Sequence, residues 1–305
     1  MKEFFIVDDD FVNSRLDRWF KRKIYSIPQS LIEKKIRKGE IKVNNKKTRS
    51  SYKIQKEDKI FVKNFNFKPD LTKKKTLKYQ PTKKDLSSSS DLFIEDNENF
   101  VVINKPAGIA VQSGTKSRKN ILDILRSTKE FKSSQPYTVH RIDKETTGLL
   151  VVAKNRKHAQ LFTSMFRLRK IHKTYLGIVL GEFVKKKGTL IDNLVSYEGD
   201  KKIESKAITH YTVLDSNNNY SLLKLNPETG RKHQLRKQLL ISGNPILGDS
   251  KYRLSSKYLN KKNSLMLHAY KINFSINDRK YKYLADLPEP FKNFLKEKYL
   301  RIFSQ

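Results

Sequence analysis

The chain contains no cysteine, which excludes disulfide bonds, thiolate metal sites and cysteine nucleophiles. It is also poor in acidic residues, with 31 Asp and Glu against 65 Lys and Arg among its 305 residues. No apolar run approaches the roughly 20 residues of a membrane span. The N-terminal segment MKEFFIVDDD has too short an apolar run and too many acids for a signal or transit peptide. These absences predict a soluble protein of the cytoplasm.

The charge balance is the second compositional signal. A formal net charge of +34 produces a strong positive field, and the simplest partner for such a field is a nucleic acid. Lysine greatly outnumbers arginine, and Asn and Ile are frequent, so part of the excess is the composition of an AT-rich genome. Composition alone does not explain why the basic residues concentrate in particular segments. We therefore predict a protein that binds nucleic acid.

Residues 1–65 have the pattern of a small basic α+β domain with two helices and a hairpin. Pro28 precedes the second helix, and Gly39 suits the left-handed position that ends it. Asn44 and Asn45 favour the turn of the hairpin. The polar faces of the two helices carry cations that we predict to contact nucleic acid: Arg15, Arg18, Lys34, Lys35, Arg37 and Lys38.

Residues 66–90 combine lysine runs, two prolines and four serines, which is typical of a flexible basic linker. From residue 91 to 305, short apolar segments alternate with turns and a few helices, which predicts an α+β domain with a mainly antiparallel mixed sheet. The predicted strands are Phe100 to Asn104, Leu149 to Ala153, Tyr175 to Leu180, Tyr220 to Leu225 and Met266 to Phe274. The predicted helices are Ile121 to Ser127, Arg156 to Arg167, His233 to Leu240 and a terminal one from Lys292 to Gln305.

The strongest candidate for chemistry is the segment HRIDKETTGLLVVAKN, residues 140–155. It places Asp143 beside Arg141, in a polar loop directly before an apolar strand. An aspartate side chain is ionised near neutral pH, and a nearby guanidinium would keep it so and orient it. An ionised carboxylate can attack carbon and form a covalent adduct. A lone Asp next to an Arg is more often a turn cap, so the surrounding residues have to decide.

Three segments in a fixed order make that decision, because together they resemble the RluA-type pseudouridine synthases, which isomerise uridine in RNA. The segments are HRIDKETTGLL around Asp143, KTY ending at Tyr175, and TGRKHQLR from Thr229 to Arg236. The N-terminal words SRLDRWF and SLIEKKIRKGEIKVNN resemble the alpha-L RNA-binding domain. The large-subunit ribosomal RNA branch of the family, the RluC-like branch, is the most similar.

The resemblance implies roles for particular residues. Asp143 would be the nucleophile, Tyr175 would stack on the target base and take part in proton removal at C5, and Arg236 would form an ion pair with Asp143. Gly230 would permit a tight turn before the helix of Arg236. Further residues would bind the substrate or shape its cleft: Lys105 of the KPAG turn, His140, Arg141, Arg231 and Leu235. The chemistry requires no cofactor, the six histidines lack metal-ligand spacing, and we expect a monomer.

Other functions stay open from the sequence. A non-catalytic RNA-binding factor of ribosome assembly would keep the basic domain but could lose Asp143, Tyr175 or Arg236. A synthase directed at transfer RNA would keep all three. An RNA glycosidase or nuclease that used Asp143 as a base would release uracil or cut the strand, whereas an isomerase changes neither mass nor length.

Overall fold

The computed structural model describes residues 2–7, 11–24, 27–63, 79–82, 90–113, 119–198, 201–254 and 264–302. Contacts divide the chain into two compact units, Met1–Leu77 and Lys78–Gln305. Most of the predicted linker lies outside the described residues. In the part of the chain that is described, no helix is long and apolar enough to cross a membrane.

The N-terminal unit contains three strands and two helices. In chain order they are β1 (Lys2–Ile6), α1 (Leu16–Lys23), α2 (Gln29–Lys38), β2 (Ile41–Val43) and β3 (Lys59–Lys63). The strands form an antiparallel sheet in the order β1-β3-β2. Two helices and a hairpin were predicted, whereas β1 was not.

Local turn chemistry explains where these elements end. Gly39 closes α2 at a φ of 77°, a left-handed conformation that glycine adopts without steric cost. Asn44 and Asn45 both adopt positive φ in the turn after β2, as predicted from their tolerance of that region. The helices bury one apolar stripe each, in which Trp19 and Ile36 are almost fully covered.

The six cations predicted to contact nucleic acid fall into two groups. Arg15 pairs with buried Asp17 at 2.6 Å, and Lys35 pairs with Glu40, so these two cations are engaged within the unit. The other four are exposed on the helices: Arg18, Lys34, Arg37 and Lys38.

The second unit is built on a large mixed sheet flanked by helices. Its elements are β4 (Phe93–Asp96), β5 (Phe100–Lys105), α3 (Ile121–Arg126), β6 (Tyr137–Thr138), β7 (Thr147–Ala153), α4 (Arg156–Arg167), β8 (His172–Leu180), β9 (Lys187–Glu198), β10 (Lys201–Ser216), β11 (Tyr220–Pro227), α5 (Gln234–Ile241), β12 (Leu267–Ile276), β13 (Arg279–Leu284) and α6 (Glu289–Glu297). The described residues of this unit also include two short 3-10 helices, Ser90–Leu92 and Lys129–Phe131.

The sheet has ten strands in the order β4-β5-β7-β12-β8-β11-β10-β9, with β6 paired to β7 and β13 paired to β12. Its pairs are antiparallel except for the short parallel pairing of β7 with β12. The α+β class and the mainly antiparallel mixed sheet are therefore confirmed. The terminal helix was predicted with the wrong bounds. It overlaps residues 292–297, but α6 begins earlier, at Glu289 after the N-cap residue Pro288, and already ends at Glu297.

The parallel pairing of β7 with β12 depends on Gly148. This glycine has a φ of 103°, and a Cβ at its position would lie 2.3 Å from the backbone oxygen of Ala269. A side chain would therefore push the two strands apart. Since the loop carrying Asp143 runs directly into β7, the close approach at Gly148 fixes where that loop leaves the sheet.

Two hydrophobic cores lie along the sheet. One is built around β5 and β7 with α3 and α4 over them, and the other around β8 and β11 with α5 and α6. Tyr175, near the start of β8, packs against both cores. The junction between the cores is consequently the place where groups from the two halves of the sheet can meet.

Candidate active site

Asp143 lies in the loop between β6 and β7, and backbone hydrogen bonds hold this loop in place. The Thr146 N–H donates to the Asp143 carbonyl oxygen at 3.2 Å, which closes a tight turn. The Gly108 N–H donates to the Lys144 carbonyl oxygen at 3.0 Å, which ties the turn to the KPAG segment. The backbone around Asp143 is therefore fixed on both sides.

Lys105 connects the KPAG segment to the turn after Asp143 from inside the protein. Its side chain is fully buried, and its Nζ donates to the carbonyl oxygens of Pro106, Ile109 and Lys144 at 2.7 to 3.0 Å. Three ammonium hydrogens thus meet three carbonyl acceptors, while burial lowers the pKa of Lys105 to about 8. The substrate-binding role predicted for Lys105 is corrected to a structural one, because its charged end points inward to the two loops.

His140, three residues before Asp143, is held as a neutral ring. Its Nε2 accepts the Val151 N–H at 2.9 Å, and its ring stacks on Phe166 with centroids 4.4 Å apart. Burial, with a contribution from the charge of Lys173, lowers the pKa of His140 to about 3. An aromatic pair with no charge therefore forms one wall beside Asp143.

Arg236, in α5, connects two aspartates. Its Nε and Nη2 donate to the two carboxylate oxygens of Asp249 at 2.7 Å each, and its Nη1 donates to Asp143 Oδ2 at 3.2 Å. Burial opposes the charge of Arg236, but the hydrogen bonds and charges of the two carboxylates raise its pKa above the ordinary value. The predicted ion pair between Arg236 and Asp143 is present, and Asp249 holds the guanidinium in place for it.

His233 approaches the other oxygen of the same carboxylate. Its Nε2 lies 3.6 Å from Asp143 Oδ1, and its Nδ1 lies 2.9 Å from the hydroxyl of Tyr252. Burial, partly countered by Asp143, lowers the pKa of His233. Because the Tyr252 hydroxyl can donate to Nδ1, Nε2 is left to carry the ring proton toward Asp143.

The turn into α5 brings His233 there. The left-handed residue of this turn is His233, with a φ of 53°, whereas Gly230 does not adopt a positive φ. The prediction that Gly230 permits the turn is therefore wrong. Instead, the turn is locked by buried Gln234, whose Oε1 accepts from the Thr229 hydroxyl at 2.7 Å and the Arg231 N–H at 3.0 Å.

Tyr175 and Lys173 bring the strand β8 into the site. Burial, together with the charge of Asp143, raises the pKa of Tyr175, so its phenol stays protonated. Burial also lowers the pKa of Lys173. Both side chains line the same cleft as Asp143.

The cleft has a volume of about 560 Å³, within the ~300–1,000 Å³ typical of small-molecule sites. Its lining includes the predicted residues His140, Arg141, Asp143, Tyr175, Arg231, Leu235 and Arg236. It also includes Phe166, Arg167, Arg169, Lys173, Glu228 and His233. An aspartate, an aromatic floor and several cations therefore meet in one concave site.

Comparison with known proteins agrees with this geometry. A family model described as RNA pseudouridylate synthase matches residues 99–240. Ribosomal large subunit pseudouridine synthase C of Rickettsia conorii is 36% identical over 251 residues, which cover 79% of this chain and 82% of that protein. The protein of the same name from Buchnera aphidicola subsp. Schizaphis graminum is 31% identical over 304 residues, with 95% of each chain covered.

The chain belongs to the RNA pseudouridine synthase family. Among solved structures, human RNA pseudouridylate synthase domain containing 4 matches with a TM-score of 0.60 and 27% identity, covering 70% of this chain and 96% of that one.

In this pseudouridine synthase the structure brings together seven of the eight residues predicted around the reaction, and Lys105 lies behind them. Arg231 and Arg141 are exposed at the cleft, and the Arg231 Nε donates to the Lys206 carbonyl oxygen at 3.1 Å. The six cations of the N-terminal unit belong to the other compact unit.

Sequence reasoning missed several residues of this synthase site. Asp249 ends the segment NPILGD, residues 244–249, and His233 lies in TGRKHQLR, but no role was predicted for either. The signal for His233 was a histidine three residues before Arg236, one helical turn away. Tyr252 and Phe166 carried no signal in the sequence. Within the described ranges, His, Asp and Glu side chains form no group of three that could hold a metal ion.

Proposed function

We propose that this chain converts specific uridines of large-subunit ribosomal RNA to pseudouridine, with Asp143 as the nucleophile. The observation that carries the proposal is the state of the Asp143 carboxylate. One of its oxygens is held by Arg236 at 3.2 Å, while the side chain remains 24% exposed in a cleft that Tyr175 also lines. A carboxylate oxygen that is held in place and faces open space is what attack on a substrate carbon requires.

The chemistry is an isomerisation in which every atom is retained. Asp143 attacks the ribose carbon, and the bond from that carbon to N1 of uracil breaks. The uracil turns while it is held, and its C5 bonds to the ribose carbon as the aspartate leaves. C5 then loses one proton and N1 gains one. Arg236 keeps the carboxylate oriented at the start and stabilises it again when it is released.

Tyr175 supports a stacking role better than a base role. Its pKa is raised by burial and by the charge of Asp143, so a phenolate is disfavoured at neutral pH. A protonated, packed tyrosine offers a flat aromatic surface, and base stacking on such surfaces is worth about 1–3 kcal/mol. The flat ring would hold the uracil while it turns.

The cations of the cleft suit a flipped nucleotide. Removing a base from its stack costs a few kcal/mol, and least in loops. Arg141, Arg167 and Arg231 lie on the cleft lining and can bind the phosphates on either side of the target. Asp143, Tyr175 and Arg236 come from one chain, so the proposed reaction needs no second copy, and we expect a monomer acting in the cytoplasm.

The direct test maps pseudouridine in ribosomal and transfer RNA from cells with and without this gene, using carbodiimide-dependent reverse-transcription stops. A rescue series would express the wild type, Asp143→Asn and the control Asp278→Asn, an exposed turn residue with a positive φ that Asn tolerates. We expect a few stops in large-subunit RNA to return with the wild type and Asp278→Asn, and none with Asp143→Asn.

Other outcomes would redirect the proposal. Stops lost only from transfer RNA would keep the chemistry and overturn the substrate. Release of free uracil or shortened RNA in vitro would indicate a glycosidase or a nuclease. Full activity of Asp143→Asn would refute the nucleophile, and no change in any RNA would favour a non-catalytic RNA-binding factor.

A further inference from the structure

The N-terminal sheet has a second face that the helices do not cover. Strand residues alternate between faces, and Ile60 and Val62 of β3 point to the helices, with exposures of 0% and 3%. On β1, by contrast, Phe4 and Ile6 are each 59% exposed. We call the outward set the sheet platform, and its members with described side chains are Phe4, Ile6, Lys42, Lys59, Phe61 and Lys63.

The platform is ordered in rows across the three strands. Phe4 pairs in register with Phe61, which pairs in turn with Lys42, so two aromatic rings and a lysine form one row. The rings of Phe4 and Phe61 have centroids 6.2 Å apart, tilted by 37°. Ile6 pairs with Lys59 in the next row. Aromatic surface and positive charge are therefore interleaved at the spacing of neighbouring strands, ~4.8 Å.

The platform differs from an ordinary solvent-facing sheet in its charge and in its flat aromatic side chains. Each of its described outward positions is Phe, Ile or Lys, and none is acidic. Exposed aromatic residues of this kind mark a binding surface rather than a solvated one. A basic surface with flat apolar rings complements a chain that carries both phosphates and unstacked bases, which is single-stranded nucleic acid.

We propose that the sheet platform binds a single-stranded segment of the RNA substrate, with bases stacked on Phe4 and Phe61 and phosphates on Lys42, Lys59 and Lys63. This rests on the proposed function, because RNA is then the substrate of the same chain. It adds a binding face distinct from the exposed helical cations Arg18, Lys34, Arg37 and Lys38, which can contact phosphates but carry no aromatic ring. The N-terminal unit thereby distinguishes unpaired RNA from duplex RNA.

The test measures binding of the full chain to an unstructured oligouridylate and to an RNA hairpin of equal length. Phe4→Ala should weaken binding to the oligouridylate about tenfold, the loss expected when one stacked base loses its ring, and should change hairpin binding much less. Phe4→Trp should restore binding. Tyr197→Ala removes an aromatic side chain that is 71% exposed in the other unit and serves as the matched control. Chemical denaturation of each variant shows that the unit still folds.

A second measurement separates stacking from charge. Lys63→Ala should lower the salt dependence of oligouridylate binding by about 0.7 in log–log slope, whereas Phe4→Ala should leave that slope unchanged. Ultraviolet crosslinking of bound oligouridylate should label peptides that contain Phe4 or Phe61.

Several results would overturn the platform. Wild-type oligouridylate affinity of Phe4→Ala would do so, as would equal losses on oligouridylate and hairpin. Concentration-dependent self-association that Phe4→Ala abolishes, with RNA binding unchanged, would assign the face to a second copy of this chain. Pseudouridine formation in the same preparations keeps the two proposals apart. If the wild type forms no pseudouridine but Phe4→Ala weakens RNA binding, the proposed reaction is refuted and the platform is kept. If the wild type is active but Phe4→Ala binds RNA normally, the platform is refuted and the proposed reaction is kept.

Discussion

The catalytic unit uses three residue types twice, once on the cleft and once behind it. The pairs are Asp143 and Asp249, Lys173 and Lys105, and His233 and His268. Behind the cleft, the hydrogen-bonding capacity of each group is met. The Asp249 carboxylate accepts hydrogen bonds from Nε and Nη2 of Arg236 and from the backbone N–H groups of Lys251 and Tyr252. Lys105 meets three carbonyl oxygens, as described above.

His268 is bonded on both ring nitrogens in the same way. Its Nδ1 lies 2.8 Å from the Thr147 hydroxyl and its Nε2 lies 3.3 Å from the Ala285 carbonyl oxygen. On the cleft, Asp143 has one side-chain hydrogen bond, to Arg236, while His233 approaches it at 3.6 Å. The residue type therefore does not distinguish a reactive group from a structural one. The number of hydrogen bonds that each group makes within the protein distinguishes them, because a group whose donors and acceptors are all engaged has none left to bind a substrate.

Substitution of the two aspartates should give the largest difference between a structural position and a reactive one. Asp249→Asn removes the charge that holds Nε and Nη2 of buried Arg236 and leaves the guanidinium paired with Asp143 through Nη1. Breaking a buried pair by neutralising one partner costs about 3–5 kcal/mol. We therefore expect the free energy of unfolding to fall by that amount in urea titrations of Asp249→Asn. Asp143→Asn should unfold like the wild type while losing pseudouridine formation. A stable Asp249→Asn protein would contradict the assignment of Asp249 as structural.

The two lysines extend the contrast to cations. Lys105→Met removes the donors of three buried carbonyl oxygens, and unpaired buried acceptors cost about 1–3 kcal/mol each, so we expect a net loss of roughly 2–4 kcal/mol in unfolding free energy. The matched variant Lys173→Met should unfold within about 0.5 kcal/mol of the wild type but bind RNA more weakly. Equal unfolding curves for the two variants would contradict a structural role for Lys105 that Lys173 does not share.

His268 should make the stability of the unit sensitive to acid. Burial lowers the pKa of His268 to about 4, so below the ordinary value of 6.5 the unfolded chain binds a proton that the folded chain does not. Stability is then lost as pH falls from about 6.5 toward 4, by about 2 kcal/mol between pH 7 and pH 5. Replacing His268 with Gln should reduce the slope of this part of the stability profile, and His140, whose pKa is also lowered by burial, accounts for the slope that remains. An unchanged slope would show that His268 is not the titrating group.

His233 should show the smallest effect. His233→Asn tolerates the left-handed backbone but removes the ring nitrogen beside Asp143 Oδ1. We expect kcat to fall no more than about tenfold, because the ring lies 3.6 Å from Asp143 Oδ1, beyond a hydrogen bond, and acts on the carboxylate only as a close polar contact. KM for RNA should be unchanged and unfolding normal. Single-turnover kinetics would measure this. A raised KM with normal kcat would mean that His233 contacts RNA and does not position Asp143.

Much of the site could be predicted because its residues lie in short contiguous sequence segments. Asp143, Tyr175 and Arg236 each sit at a recognisable junction of loop, strand or helix, and the resemblance ordered them. His233 lies inside one of these segments and Asp249 lies beyond the last of them, and the contacts of both depend on how α5 meets the following loop. That packing is decided by tertiary contacts rather than by local pattern. Lys105 shows the opposite error, since a lysine in a loop gives no sign that it points inward.

The fold was predicted where strands are buried on both faces. Strand β7 is covered throughout, so it appears as an uninterrupted apolar run. The hairpin of β9 and β10 was missed, because its strands alternate polar and apolar residues at the edge of the sheet, where charge is tolerated. Strand β1 was also missed, since FFIV was considered only as a targeting signal.

The hydrogen bond between Arg236 and Asp143 joins residues 93 positions apart. Closing so long a segment has an entropic cost that must be met before the contact forms, and β8, β11 and α5 all have to dock in between. A partly folded intermediate that lacks any of them cannot present an oriented carboxylate. Recovery of pseudouridine formation during refolding would therefore follow the last docking step of the unit rather than the appearance of its secondary structure.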